Sequence, residues 1–328
     1  MRILVTGGAG FIGSHYVRGA LGNAWGLPAI DQVTVLDKLT YAGNLANLAP
    51  VADDPRLRFV AGDIVDRELV DTLTAEADAV VHLAAETHVD RSIRAAGDFV
   101  QTNLVGTQVL LDAALRHGVD KFVHVSSDEV YGSIDTGSWD EEQPLRPSSP
   151  YSASKAGSDL LARSYFHTHR LPVCVTRCSN NYGPYQFPEK IIPLFITTLT
   201  QGGTAPLYGD GSNVREWLHV DDHCRALHLV LESGGPGEVY NIGGGTELSN
   251  RHLAGRLLDA CGADWGRVVR VADRPGHDLR YSVCADKIAG DLGFKPEVDF
   301  GQGLADTVGW YLDNRDWWRQ LVHGHPHS

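Results

Sequence analysis

"RILVTGGAGFIGSH", residues 2–15, decides how the rest of the chain is read. A short apolar run ends at Thr6, four glycines follow within seven residues (Gly7, Gly8, Gly10, Gly13), and Phe11 and Ile12 open a helix-like stretch. Glycines 8, 10 and 13 satisfy G-x-G-x-x-G, and glycines 7, 10 and 13 satisfy G-x-x-G-x-x-G. Glycine there lets the backbone turn tightly, approach a pyrophosphate and pack helix on strand, while the helix N-terminus faces the phosphate charge. One such match is weak evidence alone. This one sits between a strand-like and a helix-like run, and the next strand-like run, "QVTVLD", ends in an acid, Asp37, 24 residues after Gly13.

A carboxylate at Asp37 accepts ribose hydroxyls and repels a 2′-phosphate, which favours NAD over NADP. Lys38 beside it pulls the other way, since a lysine serves a phosphate. Asp63, in "AGDI" at the end of the third run, is suited either to an adenine or to an ordinary turn.

Outward from this motif the pattern repeats. "LRFVAGD", "AVVHLAA", "KFVHVSS" and "PVCVTRCS" are further β-branched runs, separated by helix-length stretches such as "VQTNLVGTQVLLDAALRHG". Strand and helix in alternation predict an α/β fold, a Rossmann-like doubly wound parallel sheet with ligands at the strands' carboxyl ends. After about residue 180 the pattern loosens into "NNYGPYQFPEKIIP" and a strand, turn and strand in "LYGDGSNVREWLHVDD". The expected division is residues 1–178 with 216–243 as the nucleotide-binding domain, and 179–215 with 244–328 as a smaller C-terminal lobe over the crevice.

Bulk properties exclude several classes. The 328 residues suit about two domains, and 43% hydrophobic content suits a substantial core. No run of eighteen apolar residues is present and the N-terminus lacks a signal-peptide pattern, so no membrane association and a cytoplasmic location are expected. Five cysteines (Cys174, Cys178, Cys224, Cys261, Cys284) form no C-x-x-C pair and suit buried apolar positions. A net charge of −13 without a basic run argues against nucleic acid as a partner. The tail "HGHPHS" is read as a frayed end, and no metal site is expected.

Two clusters carry chemistry. "VSSDEVYG", residues 125–132, sets Asp128 and Glu129 side by side where a strand ends, after the hydroxyls of Ser126 and Ser127. "YSASK" spaces Tyr151 and Lys155 four apart at the start of a helix, on one face. Making a tyrosine a base at neutral pH costs roughly 4 kcal/mol. An ammonium about 4 Å away at an effective dielectric near 20 supplies about that much.

With the glycine motif, these stretches resemble the extended short-chain dehydrogenase/reductase family of nucleotide-sugar enzymes. "SSDEVYG", "RCSNNYGPYQFPEK", "REWLHVDD" and "DRPGHDLRY" resemble its dTDP-glucose 4,6-dehydratase branch over nearly the whole chain. The resemblance implies NAD as a regenerated cofactor and dTDP-glucose as substrate. Tyr151 and Lys155 would oxidise C4, Glu129 would take the C5 proton, and Asp128, holding its own proton, would protonate the leaving C6 hydroxyl. Ser127 stands where the family usually has threonine; the hydroxyl for the sugar O4 survives, but the methyl that would fix its rotamer does not. Epimerases of the family usually lack both acids and decarboxylases commonly keep only the glutamate, so Asp128 argues against both of these alternatives, which product analysis would decide. A non-catalytic dinucleotide sensor would have no need of Tyr151, Lys155 or the acid pair.

By the same resemblance Gly7, Gly10, Phe11, Ile12, Gly13, Asp37, Lys38, Thr40, Asp63, Ile64, Leu83, Ala84, Ala85, Thr102, Tyr151, Lys155 and Asn181 hold the cofactor. Thr87, Ser127, Asn180, Lys190, Pro206, Tyr208, Arg215, Asn250, His277 and Tyr281 hold the sugar nucleotide, with the strand 206–208 beside the base and the Arg215 fork on the diphosphate. On residue type alone, Lys190 and Arg215 read as solvated surface charges and His277 as a satisfied loop histidine. His88 and Arg91, in "THVDRS", either position substrate or order their loop. The helices around residues 99–118 and after Tyr151 look apolar on more than one face, which together with the family resemblance points to a homodimer through paired helices.

Overall fold

The alternating runs fold into alternating elements. The computed structural model describes residues 1–26 and 30–324. The first half comprises β1 (Arg2–Thr6), α1 (Phe11–Gly22), β2 (Gln32–Asp37), β3 (Leu57–Ala61), α2 (Arg67–Ala75), β4 (Ala79–His82), α3 (Val89–Arg94), α4 (Ala96–Phe99), α5 (Thr107–His117), β5 (Lys121–Ser127), α6 (Pro150–His169) and β6 (Val173–Cys178). The second comprises β7 (Asn180–Tyr182), α7 (Ile191–Thr200), β8 (Ala205–Tyr208), β9 (Val214–His219), α8 (Val220–Ser233), β10 (Val239–Ile242), β11 (Thr246–Ser249), α9 (Asn250–Ala260), β12 (Val268–Val271), α10 (Asp286–Leu292), α11 (Phe300–Asp313) and α12 (Arg315–Gly324).

Among the described residues the large sheet has seven strands, all parallel, in the order β10-β6-β5-β4-β1-β2-β3. The order reverses beside β1, which opens a crevice at the carboxyl ends of β1 and β4. Side chains alternate across the sheet, so Ile3 and Val5 join one core with Tyr16, Val35 and Leu227, while Leu4 joins another with Val80, Leu110 and Phe122. Both faces are covered, which is why the strands read as continuous apolar runs. α6 starts where it does because Ser149 and Ser152 form a capping box and Pro150 takes the first helical turn. That start places Tyr151 and Lys155 in the first two turns.

The helix expected to run unbroken through residues 99–118 is interrupted. α4 ends at Phe99, a π-helical segment spans Val100–Gly106, and α5 continues to His117, where Gly118 at φ +65° stops it. Thr102 lies in the π-helical segment.

The smaller lobe holds the three-stranded sheet β11-β9-β7 and the pair β12-β8, around a core of Tyr182, Phe195, Trp217, Leu253, Tyr311 and Trp318. Two segments depart from the expected division. β8 and β9 are strands, yet they belong to different sheets, so the turn between them closes no hairpin and β9 lies in the small sheet across the expected boundary at 216. α8 and β10 return to the large sheet. α10 was expected in the covering lobe, but Ile288 and Phe294 pack into the large core with Tyr240 and Ile242. The physical reason is that β10 is the outermost strand, and its apolar side chains need a cover. Of the tail, residues 325–328 lie outside the described residues.

Candidate active site

Between the two lobes lies a cavity of about 1270 Å³, lined by the loops that follow β1 and β4, by the ends of β2 and β5, by α6 and by the smaller lobe. At one end sits the glycine turn. Gly7 has φ +71°, and a Cβ there would stand 2.6 Å from the Ala84 amide nitrogen. A Cβ on Gly13 would overlap the Gly7 carbonyl oxygen. No side chain caps the N-terminus of α1, and its first residues, Phe11, Ile12 and Gly13, line the cavity. These features fit a dinucleotide pyrophosphate.

Asp37 both caps its turn and ties it to the glycine loop: its carboxylate accepts the Leu39 amide at 2.8 Å and the Ala9 amide at 2.9 Å. Burial raises the Asp37 carboxyl above its ordinary value, and the two amides oppose that rise. Lys38 turns to Asp63, with Nζ 2.7 Å from Oδ2. Its charge is therefore answered within the protein, which removes the argument for a 2′-phosphate. Phe11, Ile12, Thr40, Ile64, Leu83, Ala84, Ala85, Thr102 and Asn181 line the same end. The Asn181 amide is already satisfied, giving a proton to the Ser179 carbonyl and meeting His223 Nδ1 at 2.9 Å.

The acid pair lies on a single 3-10 turn, Asp128–Tyr131, that continues β5. The Ser127 hydroxyl accepts the Glu129 amide at 3.2 Å and donates to Asp128 Oδ1 at 3.1 Å. Two hydrogen bonds thus fix the rotamer that a threonine methyl would otherwise fix. Asp128 is 3% exposed, and its Oδ2 has no hydrogen-bond partner in the protein. Burial, then the neighbouring charges of Glu129 and Glu216, push the Asp128 carboxyl well above the usual range. That direction favours the protonated form, the form a general acid needs.

Tyr151 and Lys155 are both buried and face the cavity. Lys155 donates to the Val125 carbonyl at 2.6 Å, and burial lowers its ammonium to about 8. Tyr151 departs from expectation. Burial first, then Glu129 and Cys178, raise its hydroxyl well above 10, with the Ser127 hydroxyl acting in the opposite sense. The ammonium is engaged with a carbonyl of β5, and desolvation of the phenolate outweighs its pull.

At the other end, Thr87, Asn180, Lys190, Pro206, Tyr208, Arg215, Asn250 and His277 line the cavity. Arg215 is 5% exposed, not a solvated surface charge, and among the described residues it pairs with no carboxylate. It donates to the Val214 and Asp278 carbonyls at 2.7 and 3.0 Å. Lys190 donates to the Thr87 carbonyl at 2.9 Å. The Tyr208 hydroxyl donates to Asp90 at 3.0 Å, and His277 Nδ1 lies 2.6 Å from Asp273. The Asn180 Oδ1 is buried without a partner. Tyr281 is the exception: it does not line the cavity but lies under the Arg215 guanidinium, 4.2 Å from ring centroid to Cζ, with its hydroxyl on Asp278 at 2.7 Å. It packs against the arginine from outside the cavity.

His88 and Arg91 both turn toward Glu189, at 3.6 and 4.0 Å, and Arg91 stacks 3.7 Å over Tyr41. Burial and then Lys190 lower His88 to about 4, so it is neutral at pH 7. The pair therefore orders the rim, although both also face the cavity. Tyr41, Glu189 and Arg274 line it as well, and nothing in the sequence pattern singled them out. Two signals were available: Glu189 inside "RCSNNYGPYQFPEK", and Arg274 inside "DRPGHDLRY", a motif from which only His277 and Tyr281 were drawn.

Comparison with known proteins gives one answer. The family model described as GDP-mannose 4,6 dehydratase matches residues 4–307. A dTDP-glucose 4,6-dehydratase of Streptomyces antibioticus is 65% identical over 98% of this chain and 95% of its own length. The chain belongs to this dehydratase family. The crystal structure of DesIV, a dTDP-glucose 4,6-dehydratase from Streptomyces venezuelae with NAD and TDP bound, superposes with a TM-score of 0.96. It is 63% identical and the match covers 98% of this chain and 100% of that one. A UDP-glucose 4-epimerase from Thermotoga maritima shares the fold at a TM-score of 0.87 with 31% identity, covering 96% of this chain and all of its own. Among the described residues no helix is long and apolar enough to cross a membrane.

Proposed function

We propose that the chain dehydrates dTDP-glucose to dTDP-4-keto-6-deoxyglucose, with NAD as a cofactor regenerated in each turnover. The observation that carries this reading is Asp128, buried on the same turn as Glu129 with its carboxyl raised by that burial, in one cavity with Tyr151 and Lys155. An epimerase needs only the tyrosine and lysine. Elimination of water needs an acid and a base on adjacent carbons as well.

NAD, held by the glycine turn and Asp37, supplies the chemistry of taking a hydride from C4 and returning it to C6. Tyr151 takes the O4 proton; burial opposes this, and the positive charge of a bound nicotinamide ring, added to that of Lys155 (charged below about 8), would favour the phenolate. Ser127 bonds O4. The C4 ketone acidifies C5–H, Glu129 removes that proton, and Asp128 delivers its own to the departing C6 hydroxyl. Glu129 returns to its starting state as it gives its proton back to C5, and the proton that Tyr151 took from O4 makes good, through solvent, the one that Asp128 lost to the departing water. Arg215, a buried cation with no internal counter-charge among the described residues, suits the diphosphate, and Lys190, Asn180, Asn250 and His277 suit the rest of the sugar nucleotide.

The active species in this reading is a cytoplasmic homodimer, joined through α6 and through α5 with the π-helical segment before it, whose surfaces leave Leu160, Leu115 and Val100 exposed at 53%, 37% and 47%. Residues 1–178 with α8, β10 and α10 form its nucleotide-binding half, and the rest holds the sugar nucleotide. Substrate deuterated at C4 tests the reaction. The label should reappear at C6 of the 4-keto-6-deoxy product, carried within one active site. Label retained at C4, or a product epimeric at C4 with its C6 hydroxyl intact, would overturn the proposal.

A further inference from the structure

Behind the acid pair runs a chain of buried polar side chains that the reaction scheme does not use. Tyr131 closes the 3-10 turn that carries Asp128 and Glu129, and is 1% exposed. Its hydroxyl receives a hydrogen bond from Arg177 Nη1 at 2.7 Å and donates to Asn241 Oδ1 at 2.8 Å. Arg177 grips Asp159 with two bonds, Nε to Oδ2 at 2.8 Å and Nη2 to Oδ1 at 3.0 Å, and neither side chain has any exposed surface. Asp159 lies on α6 four residues after Lys155 and eight after Tyr151, on the same face. Asn241, on β10, is itself held: its amide nitrogen donates to Glu141 Oε1 at 2.8 Å and its side chain to the Trp139 carbonyl at 2.9 Å.

We infer that Tyr131 is a positioning residue, which through Arg177, Asp159 and Asn241 sets the Asp128–Glu129 turn at a fixed place relative to the helix bearing Tyr151 and Lys155. This inference rests on the dehydratase reading above. Neither Tyr131 nor Arg177 lines the cavity, so neither touches substrate. The two halves of the chemistry differ in how they are held. Tyr151 and Lys155 ride on a 20-residue capped helix that needs no help from Tyr131. The acids ride on one turn whose other polar ties are the Ser127 cap and a bond from the Arg146 amide to the Val130 carbonyl, beside the packing of Val130 and Tyr131 with Ala156 and Val283, which fixes no direction for the acids. Loosening Tyr131 should therefore impair proton transfer at C5 and C6 and leave oxidation at C4 intact.

The test is Tyr131→Phe, which keeps the ring and removes the hydroxyl, compared with wild type on dTDP-glucose. Near-ultraviolet absorbance of reduced nicotinamide and product release are followed in the first turnover and at steady state. The expected result is a fall in kcat of about ten-fold, within the range that small misplacements of catalytic groups produce, with KM little changed. Reduced cofactor should form at the wild-type rate and then accumulate, a signature that general loosening of the fold would not give. Asn241→Ser, which withdraws the acceptor from the other side of the hydroxyl, should give the same signature and serves if the first variant fails to fold. Unchanged kcat, a rise in KM alone, or equal slowing of oxidation and turnover in the folded variants would overturn the inference. Failure of the wild-type enzyme to form any 4-keto-6-deoxy product would instead overturn the dehydratase reading itself.

Discussion

A carboxyl group kept in the state Asp128 occupies is bought with stability. Its carboxyl is raised in the folded protein by burial and by Glu129 and Glu216. Between its ordinary value in the unfolded chain, about 4, and its raised value in the fold, the unfolded state has lost a proton that the folded state keeps. Folding is therefore disfavoured progressively as pH rises through that window, and at neutral pH the penalty is present. Asp128→Asn has no proton to lose, so its melting temperature should exceed that of wild type at pH 7 by a few degrees and converge on it near pH 4. Calorimetry at the two pH values checks the sign. Glu129→Gln should do something different: oxidation at C4 remains possible, C5 deprotonation stalls, and reduced nicotinamide should build up on adding dTDP-glucose. Wild-type spectral behaviour in that variant would remove Glu129 from the base role. That the acid pair and the Tyr151–Lys155 pair share one cavity was legible because residue type and spacing at strand ends and helix starts marked them out. Arg215 and Tyr281 were not separable by type: one is a buried cation facing the cavity, the other its support, and only the fold decides which is which.

At the scale of the element, the glycine turn has the least room. The Gly13 Cα faces the Gly7 carbonyl so closely that any Cβ would overlap it, and Gly7 itself abuts the Ala84 backbone. Gly13→Ala should force the turn and α1 apart, lowering stability by about 2 kcal/mol, as overpacking of a tight contact does, and releasing bound dinucleotide. Urea unfolding and assay of the nucleotide retained on the purified protein check both. The strands of the large sheet were readable because each is a local run of β-branched residues followed by a helix of ordinary length. The partners of β8 and β9 were not, since they pair with segments dozens of residues away and nothing in either strand specifies the choice. α10 was misassigned for the same reason: its apolar residues say that it is covered, not by what. The π-helical segment before α5 was likewise hidden, because α- and π-helical turns draw on the same residues.

For the whole molecule, the exposed apolar residues on α5 and α6 make the association state testable. Leu160→Arg, at a position 53% exposed, should leave the protomer folded but shift the mass measured by light scattering from dimer to monomer. A protein that stays dimeric would place the contact elsewhere. The paths between the lobes have another consequence. After β6 the backbone leaves the large sheet for β7, returns at α8, leaves again at β11, returns for α10 and leaves once more for α11. Neither lobe is a contiguous stretch, so neither can be cut out or inherited by one recombination event. A chimera that exchanged the sugar-nucleotide half of this enzyme for that of a relative would need five crossovers, and new substrates must be acquired by substitution within the lobe, not by shuffling it.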